Sequence, residues 1–355
     1  MAATRELDVA QRRSWRLASL AAAVAIGATV LSGCGGGKEA STAAARTTTA
    51  ASTSTAEAEP TDMEDAGALA IDITGDWLAA GEGTVWLSNP PSGEVYRLDP
   101  DSGKTVSKIY IQQGPCEAGD VGFGAFWTAT CGKPGLARID PSTNKPEYVR
   151  VPTSTTHGGE GSIGAGAGGV WVVVDTSKCS ACAVARVDPN TLQVVAHVPV
   201  SPNSSSVRVG EGAVWVVNPE AGTVQEIDPE RNRVVHTTEI GPVVPRFFAA
   251  NEGGVWTLNQ ADGSVTRVDP LTGEVAATIQ AEVVGDGGDM TAGGGWVWAR
   301  GSGYLLTRID PQTNAIVERY GPSSGSGAAI VGFGAVWISA HDIARVWKLP
   351  LANLK

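Results

Sequence analysis

The sequence predicts an all-β domain, a seven-bladed β-propeller of four-stranded blades whose last blade is closed by an N-terminal strand. Three observations predict it. An apolar-Trp pair recurs at Val85-Trp86, Phe126-Trp127, Val170-Trp171, Val214-Trp215, Val255-Trp256, Val297-Trp298 and Val336-Trp337, with Trp spacings of 41, 44, 44, 41, 42 and 39. A second marker follows each Trp: Asp99-Pro100, Asp140-Pro141, Asp188-Pro189, Asp228-Pro229, Asp269-Pro270 and Asp310-Pro311, with Leu349-Pro350 in the seventh unit. Between the markers the chain is rich in β-branched residues and broken by Gly, Pro, Asn and Asp, with no helical period. Two markers held in register over seven units of this length define a ring of four-stranded sheets.

The elements follow in chain order. Residues 1–33 read as an export leader. Arg5, Arg12, Arg13 and Arg16 precede the apolar run Leu17–Leu31, which is too short to stay as a spanning helix. The run ends in Leu31-Ser32-Gly33-Cys34, the pattern after which bacterial lipoproteins are cleaved and acylated, so Cys34 is the expected lipidation site and the membrane a partner through that anchor. The stretch Arg12-Arg13-Ser14-Trp15-Arg16-Leu17 also matches part of a twin-arginine export motif. Residues 34–67 are Ser, Thr, Ala and acid in low-complexity order, too poor in apolar surface to offset the entropy of ordering, and read as a disordered tether.

The propeller is expected over 68–355. In the fourth unit the expected strands are Ser205–Gly210 (a), Ala213–Asn218 (b), Thr223–Asp228 (c) and Arg233–Ile240 (d). Gly-x-Gly between a and b suits a tight turn with positive φ. The Asp-Pro-x-Thr/Ser-Gly/Asn sequences between c and d preset a turn whose Asp bonds back to backbone N–H groups. The seventh unit has strands a, b and c and then the chain nearly stops; Leu69–Thr74 is expected to supply its missing outer strand and close the ring.

These blade motifs, Gly-x-Gly-x-Val-Trp-Val-x-Asn, Gly-x-Val-x-Arg-Ile-Asp-Pro and Val-Val-x-x-Ile, resemble the YncE/YVTN-type propellers and their NHL and streptogramin (virginiamycin B) lyase-like relatives. The resemblance implies fold strongly and function weakly.

The repeated residues read as scaffold. A Trp present once per blade is expected to fill the wedge between sheets, the Asp-Pro acids to hold turns, and the Arg before the aspartate (Arg97, Arg138, Arg186, Arg267, Arg308) to be a solvated or cross-strand charge. Function is then sought in the non-repeated residues of the d–a and b–c loops, which share one face. Four Cys map there: Cys116–Cys131 and Cys179–Cys182 are expected disulfides, with a zinc cluster or a redox CxxC as alternatives. Among the four His, His197 and His236 fall on outer strands, while His157, near Glu160, and His341, beside Asp342, fall on the loop face. Candidate catalytic groups are His157, Glu160, Asp120 and Asp286; Asp286 and Asp289 are candidate cation ligands. No Ser-His-Asp set and no phosphate loop is legible.

The net charge is −11 and the leader carries +4 − 2 = +2, so the remainder stands near −13, which argues against nucleic acid as a partner. The expectation is an exported, lipid-anchored binding or scaffold module without a cofactor, taking a protein, peptide or small ligand on the d–a/b–c loop face. The alternative is an enzyme on the same scaffold, a lyase or lactone hydrolase of virginiamycin B lyase-like or gluconolactonase-like type, with or without a metal ion.

Overall fold

A computed structural model describes residues 59–354, apart from 134, 152–159, 175–181, 284 and 286. Seven antiparallel sheets follow one another in a ring, each ordered a-b-c-d from the axis outwards. In blade 4 the strands run Ser206–Gly210, Ala213–Asn218, Thr223–Asp228 and Arg233–Glu239, within a residue of the sequence expectation. Blade 7 is built from Ala329–Gly332, Ala335–Ala340 and Arg345–Pro350, and Leu69–Asp72 pairs antiparallel with the last of these. The ring is thus closed by the N-terminal strand. Blade 6 carries a fifth strand: Thr61–Asp62 lies parallel to Tyr320–Gly321 at the outer edge, with Thr61 Oγ1 donating to Glu318 at 2.9 Å. Nothing in the composition of that segment announces it.

The core is not one mass but seven, one cluster per seam between neighbouring blades. Each aligned Trp fills the seam toward the following blade, and all seven are 0–1% exposed. The indole orientation repeats as well, because each Nε1 donates to the carbonyl of the residue five positions back, at the end of strand a: Gly81, Gly122, Gly166, Gly210, Asn251, Gly293 and Gly332. The a–b turns use two successive positive-φ residues, and the first is not glycine in six of them (Glu82, Phe123, Ala167, Glu211, Glu252, Phe333). A closer constraint acts at Gly210, where a Cβ would stand 1.7 Å from the Ala250 carbonyl oxygen of blade 5.

The Asp-Pro acids hold their turns. Asp188, for example, accepts from the N–H groups of Asn190 and Thr191, and these bonds lower its carboxyl below the usual range. The strand c arginines differ from the expected solvated charge. Arg97, Arg186 and Arg267 stack over their own blade's Trp and reach across the seam to the next blade's Pro carbonyl and turn Asn: Pro141 and Asn144, Pro229 and Asn232, Pro311 and Asn314. Arg138 and Arg308 pair within their own blades instead, with Glu147 and Glu318. The sequence reading missed this because the partner is one blade away in space and some 45 residues away in the chain, as with Arg186 and Asn232 (46 apart).

Arg186→Ala is expected to cost about 1 kcal/mol, since water replaces part of three hydrogen bonds and one cation–π contact at a half-exposed site. Arg138→Ala, which keeps every cross-seam bond and loses one partly exposed pair with Glu147 and a 5.8 Å contact over Trp127, should cost less, about half as much. Urea midpoints of the two variants check this, and equal losses would refute the seam-clamp reading.

Candidate functional site

The d–a and b–c loops converge at one end of the central channel, and non-repeated charged side chains gather there. Asp76 opens blade 1, Glu117 blade 2, Glu160 blade 3 and Arg246 blade 5; blade 6 contributes Arg300 and blade 7 His341 and Asp342. The Cys116–Cys131 disulfide forms as expected, with a Cα–Cα distance of 5.2 Å, and ties the start of strand a to the end of strand b in blade 2. It therefore fixes the backbone next to Glu117. That bond also removes two of the thiols that the zinc alternative would need.

Opposite and like charges are both close. Arg246 Nη2 lies 2.7 Å from Glu160 Oε2, and Arg246 also stacks over Phe247 at 5.6 Å. His341 Nδ1 stands 3.7 Å from Asp76 Oδ1, an ion pair rather than a hydrogen bond. Asp342 accepts the Gly325 N–H at 2.8 Å. Burial pushes the Glu160 carboxyl up to about 7; Arg246 opposes this, while Glu117, Asp76 and Asp289 add to it. Burial and then the Asp76 charge also raise Glu117. Asp76, foremost among its neighbours, raises the His341 imidazole. Arg300 is fully buried, bonded to the carbonyls of Ser339, Gly301 and Ser324, and burial lowers it to about 10.

Below the mouth the channel is a cavity of about 170 Å³ walled by the strand a residues Asp120, Arg208 and Asp289 and by Trp77, just before strand a of blade 1. Arg208 crosses it from blade 4. Its guanidinium lies 5.1 Å from the Trp77 ring and 5.7 Å from the Phe248 ring, donates to the Gly161 carbonyl at 3.0 Å, and stands 3.6 Å from Asp289. Asp120 accepts from Val121 and from Ala165 of the next blade, each at 2.8 Å, so both its oxygens serve the scaffold although it borders the cavity. Asp289 makes the equivalent bond to Ala329 of blade 7 at 3.1 Å, and burial raises its carboxyl to about 6.

Of the groups singled out from sequence, Glu160 stands in the mouth while Asp120 and Asp289 stand in the channel beneath it. His197 sits on an outer strand, and His236, also on one, pairs with Glu226 at 2.6 Å. Cys34, His157, Cys179 and Asp286 lie outside the described residues, and with Cys179 so does the Cys179–Cys182 pairing. Among the described residues no group of three or more His, Cys, Asp or Glu is placed to hold a metal ion. The sequence reading overlooked Asp76, Glu117 and Arg246. Each stands ten residues before its blade's Trp (Trp86, Trp127, Trp256), a position filled elsewhere by Gly or Ser, so the repeat register could have marked them.

The fold and this mouth define the chain as a seven-bladed β-propeller with a polar, loop-built site at one end of its channel. No family model matches the chain, and no curated protein matches it. Solved structures do. A streptogramin B lyase aligns with a TM-score of 0.63 at 13% identity, over 79% of this chain and 97% of the lyase. A catalytically inactive virginiamycin B lyase from Staphylococcus aureus, solved with quinupristin, gives 0.64 at 14%, over 80% and 98%. BamB from Moraxella catarrhalis gives 0.55 at 12%, over 78% and 83%. Identities this low carry the fold and not the activity.

Proposed function

We propose that this protein is an exported, lipid-anchored propeller that captures a ligand at the mouth of its channel. The observation that carries the reading is the convergence of Asp76, Glu117, Glu160, Arg246, His341 and Asp342 from five blades onto one opening. Elsewhere in the ring the repeated charged groups are absorbed by turns and seams. Carboxylates that raise one another's pKa are kept where they meet something outside the fold. The basic leader, the apolar run and Leu31-Ser32-Gly33-Cys34 support the anchor, and the blade motifs support kinship with YncE-type propellers.

A second reading is favoured by one observation. Glu160, raised to about 7 beside Arg246, has the acidity of a general base or acid at neutral pH, and a propeller lyase is among the structural neighbours. One experiment tests both. Wild-type protein and Glu117→Gln/Arg246→Gln are compared for what cross-links to them in native membranes, and for conversion of quinupristin followed by mass. Capture predicts one or more cross-linked species that the double variant loses. Enzymatic action predicts product that Glu160→Gln abolishes. Identical cross-linking by the variant and the wild type would remove the mouth from the capture reading.

A further inference from the structure

We propose that the channel end opposite the mouth is a docking surface for a peptide segment of another protein, one that presents a basic residue between two apolar ones. The surface is made by three neighbouring a–b turns: Phe333-Gly334 of blade 7, Glu82-Gly83 of blade 1 and Phe123-Gly124 of blade 2. These turns stand side by side. A Cβ on Gly332 would lie 2.4 Å from the Ala80 Cβ, and one on Gly81 would lie 2.6 Å from Val121, so the strand a ends of blades 7, 1 and 2 touch in that order. Strand a is the innermost of each sheet, which sets the three turns around the channel opening.

The first support is what the two phenylalanines cost the fold. Both hold the left-handed backbone, at φ 57° for Phe123 and 52° for Phe333, a conformation that a bulky side chain disfavours and glycine or asparagine takes readily. Each residue is also 43% exposed. Blades 4 and 5 show what this position otherwise does. Glu211 accepts the N–H of Gly253 at 2.9 Å and Glu252 that of Gly295 at 3.0 Å, each tying its turn to the turn of the next blade. A phenylalanine here keeps the backbone strain, gives up that bond and leaves an aromatic side chain in water. Strain and exposure kept together at two places on one opening mark a contact made outside the fold.

The second support is charge, and it selects the partner. Glu82 lies between the two phenylalanines in blade order, is exposed, and makes no hydrogen bond or ion pair among the described residues. The first positions of the other a–b turns are Ala167, Glu211, Glu252 and Gly294, so the opening carries acids and no base. Two apolar side chains with a carboxylate between them are complementary to a basic residue flanked by apolar ones. The stem of a Lys or Arg then covers apolar surface while its head reaches Glu82. The same acids repel an anionic lipid surface. They also repel a second copy docked through this face, because a two-fold contact would set the glutamates against themselves.

The test titrates the isotope-labelled protein with acetyl-Gly-Leu-Arg-Leu-Gly-amide, and with two relatives in which Glu replaces the Arg or Ser replaces both Leu. The readout is the backbone amides of Gly83, Gly124 and Gly334. The Leu-Arg-Leu peptide should move them saturably and bind about tenfold more tightly than either relative. Phe123→Asn/Phe333→Asn should weaken it about tenfold, while the melting temperature holds or rises because asparagine suits the left-handed backbone. Glu82→Gln should weaken it about threefold. A double variant that binds like the wild type overturns the inference, and one that melts lower assigns the phenylalanines to the fold and overturns it too. Equal binding by either relative, an unchanged Glu82→Gln variant, or no movement with any peptide does the same. Movement of these amides by vesicles of phosphatidylglycerol and phosphatidylcholine, or by raising the protein concentration alone, overturns the peptide in favour of a lipid surface or a second copy.

Discussion

Removal of residues 59–72 is expected to lower the melting temperature by about 10 °C or more and to add concentration-dependent association that the intact chain does not show. The segment acts at two seams. Leu69–Asp72 is the whole outer strand of blade 7, and Ile71 packs on the cluster between blades 7 and 1. Met63, completely buried, fills the cluster between blades 6 and 7 beside Trp298, while Thr61–Asp62 covers the edge of blade 6. Burial of a methionine and a half-buried isoleucine contributes roughly 3–4 kcal/mol, and the lost backbone pairing adds to that. The sum is a large fraction of the stability of an ordinary domain. The second effect follows from geometry. Without its outer strand, Arg345–Pro350 becomes an open edge with unpaired backbone groups. Calorimetry and light scattering read the two effects. A truncated chain that associates no more than the intact one and melts within about two degrees of the wild type would show that the ring is held by its seams alone, without the closing strand.

The ring was legible because its signals are local. The Trp in strand b, the Gly-x-Gly turn and the Asp-Pro turn each act within one blade, and their repetition averages out the accidents of any single copy. What was not legible depends on the distance between blades. Arg186 reads as a surface charge until Asn232 of the next blade is seen 3.0 Å away. Asp120 reads as an unengaged acid at the channel until both its oxygens are found on backbone N–H groups. The mouth was hidden for the opposite reason. Asp76, Glu117 and Arg246 share a register position but not a residue type, and a search for repeated chemistry passes over a position whose chemistry changes from blade to blade. Such positions are the ones a binding face leaves free to vary. Glu160, singled out through its sequence neighbour His157, is instead connected to blades 1, 2 and 5 through Asp76, Glu117 and Arg246.

Glu160→Gln is expected to stabilise the protein at pH 8 by about 2 kcal/mol and to leave it nearly unchanged at pH 5. The sign follows from proton binding. An ordinary glutamate titrates near 4.5 and Glu160 in the fold near 7, so between those values the folded protein holds a proton that the unfolded chain has released. Wherever the folded state binds more protons, stability falls as pH rises. The loss therefore begins near pH 4.5 and is complete just above pH 7. The shift from 4.5 to about 7 corresponds to roughly 3 kcal/mol, lowered here because the side chain is 17% exposed and partly solvated. The attraction of Arg246 is already included in that balance and does not outweigh burial and the neighbouring acids. Glu117 and Asp289 are also raised and are coupled to Glu160, so the difference between the two melting curves reads the Glu160 charge together with the relief its loss gives these neighbours. Thermal melts of both proteins from pH 5 to pH 8 decide the matter. A Gln variant less stable than the wild type at pH 8 would mean that the 2.7 Å pair with Arg246 dominates and that Glu160 is a strut. Stabilisation would mean that the fold carries an ionised acid at the channel mouth at a cost to its own stability.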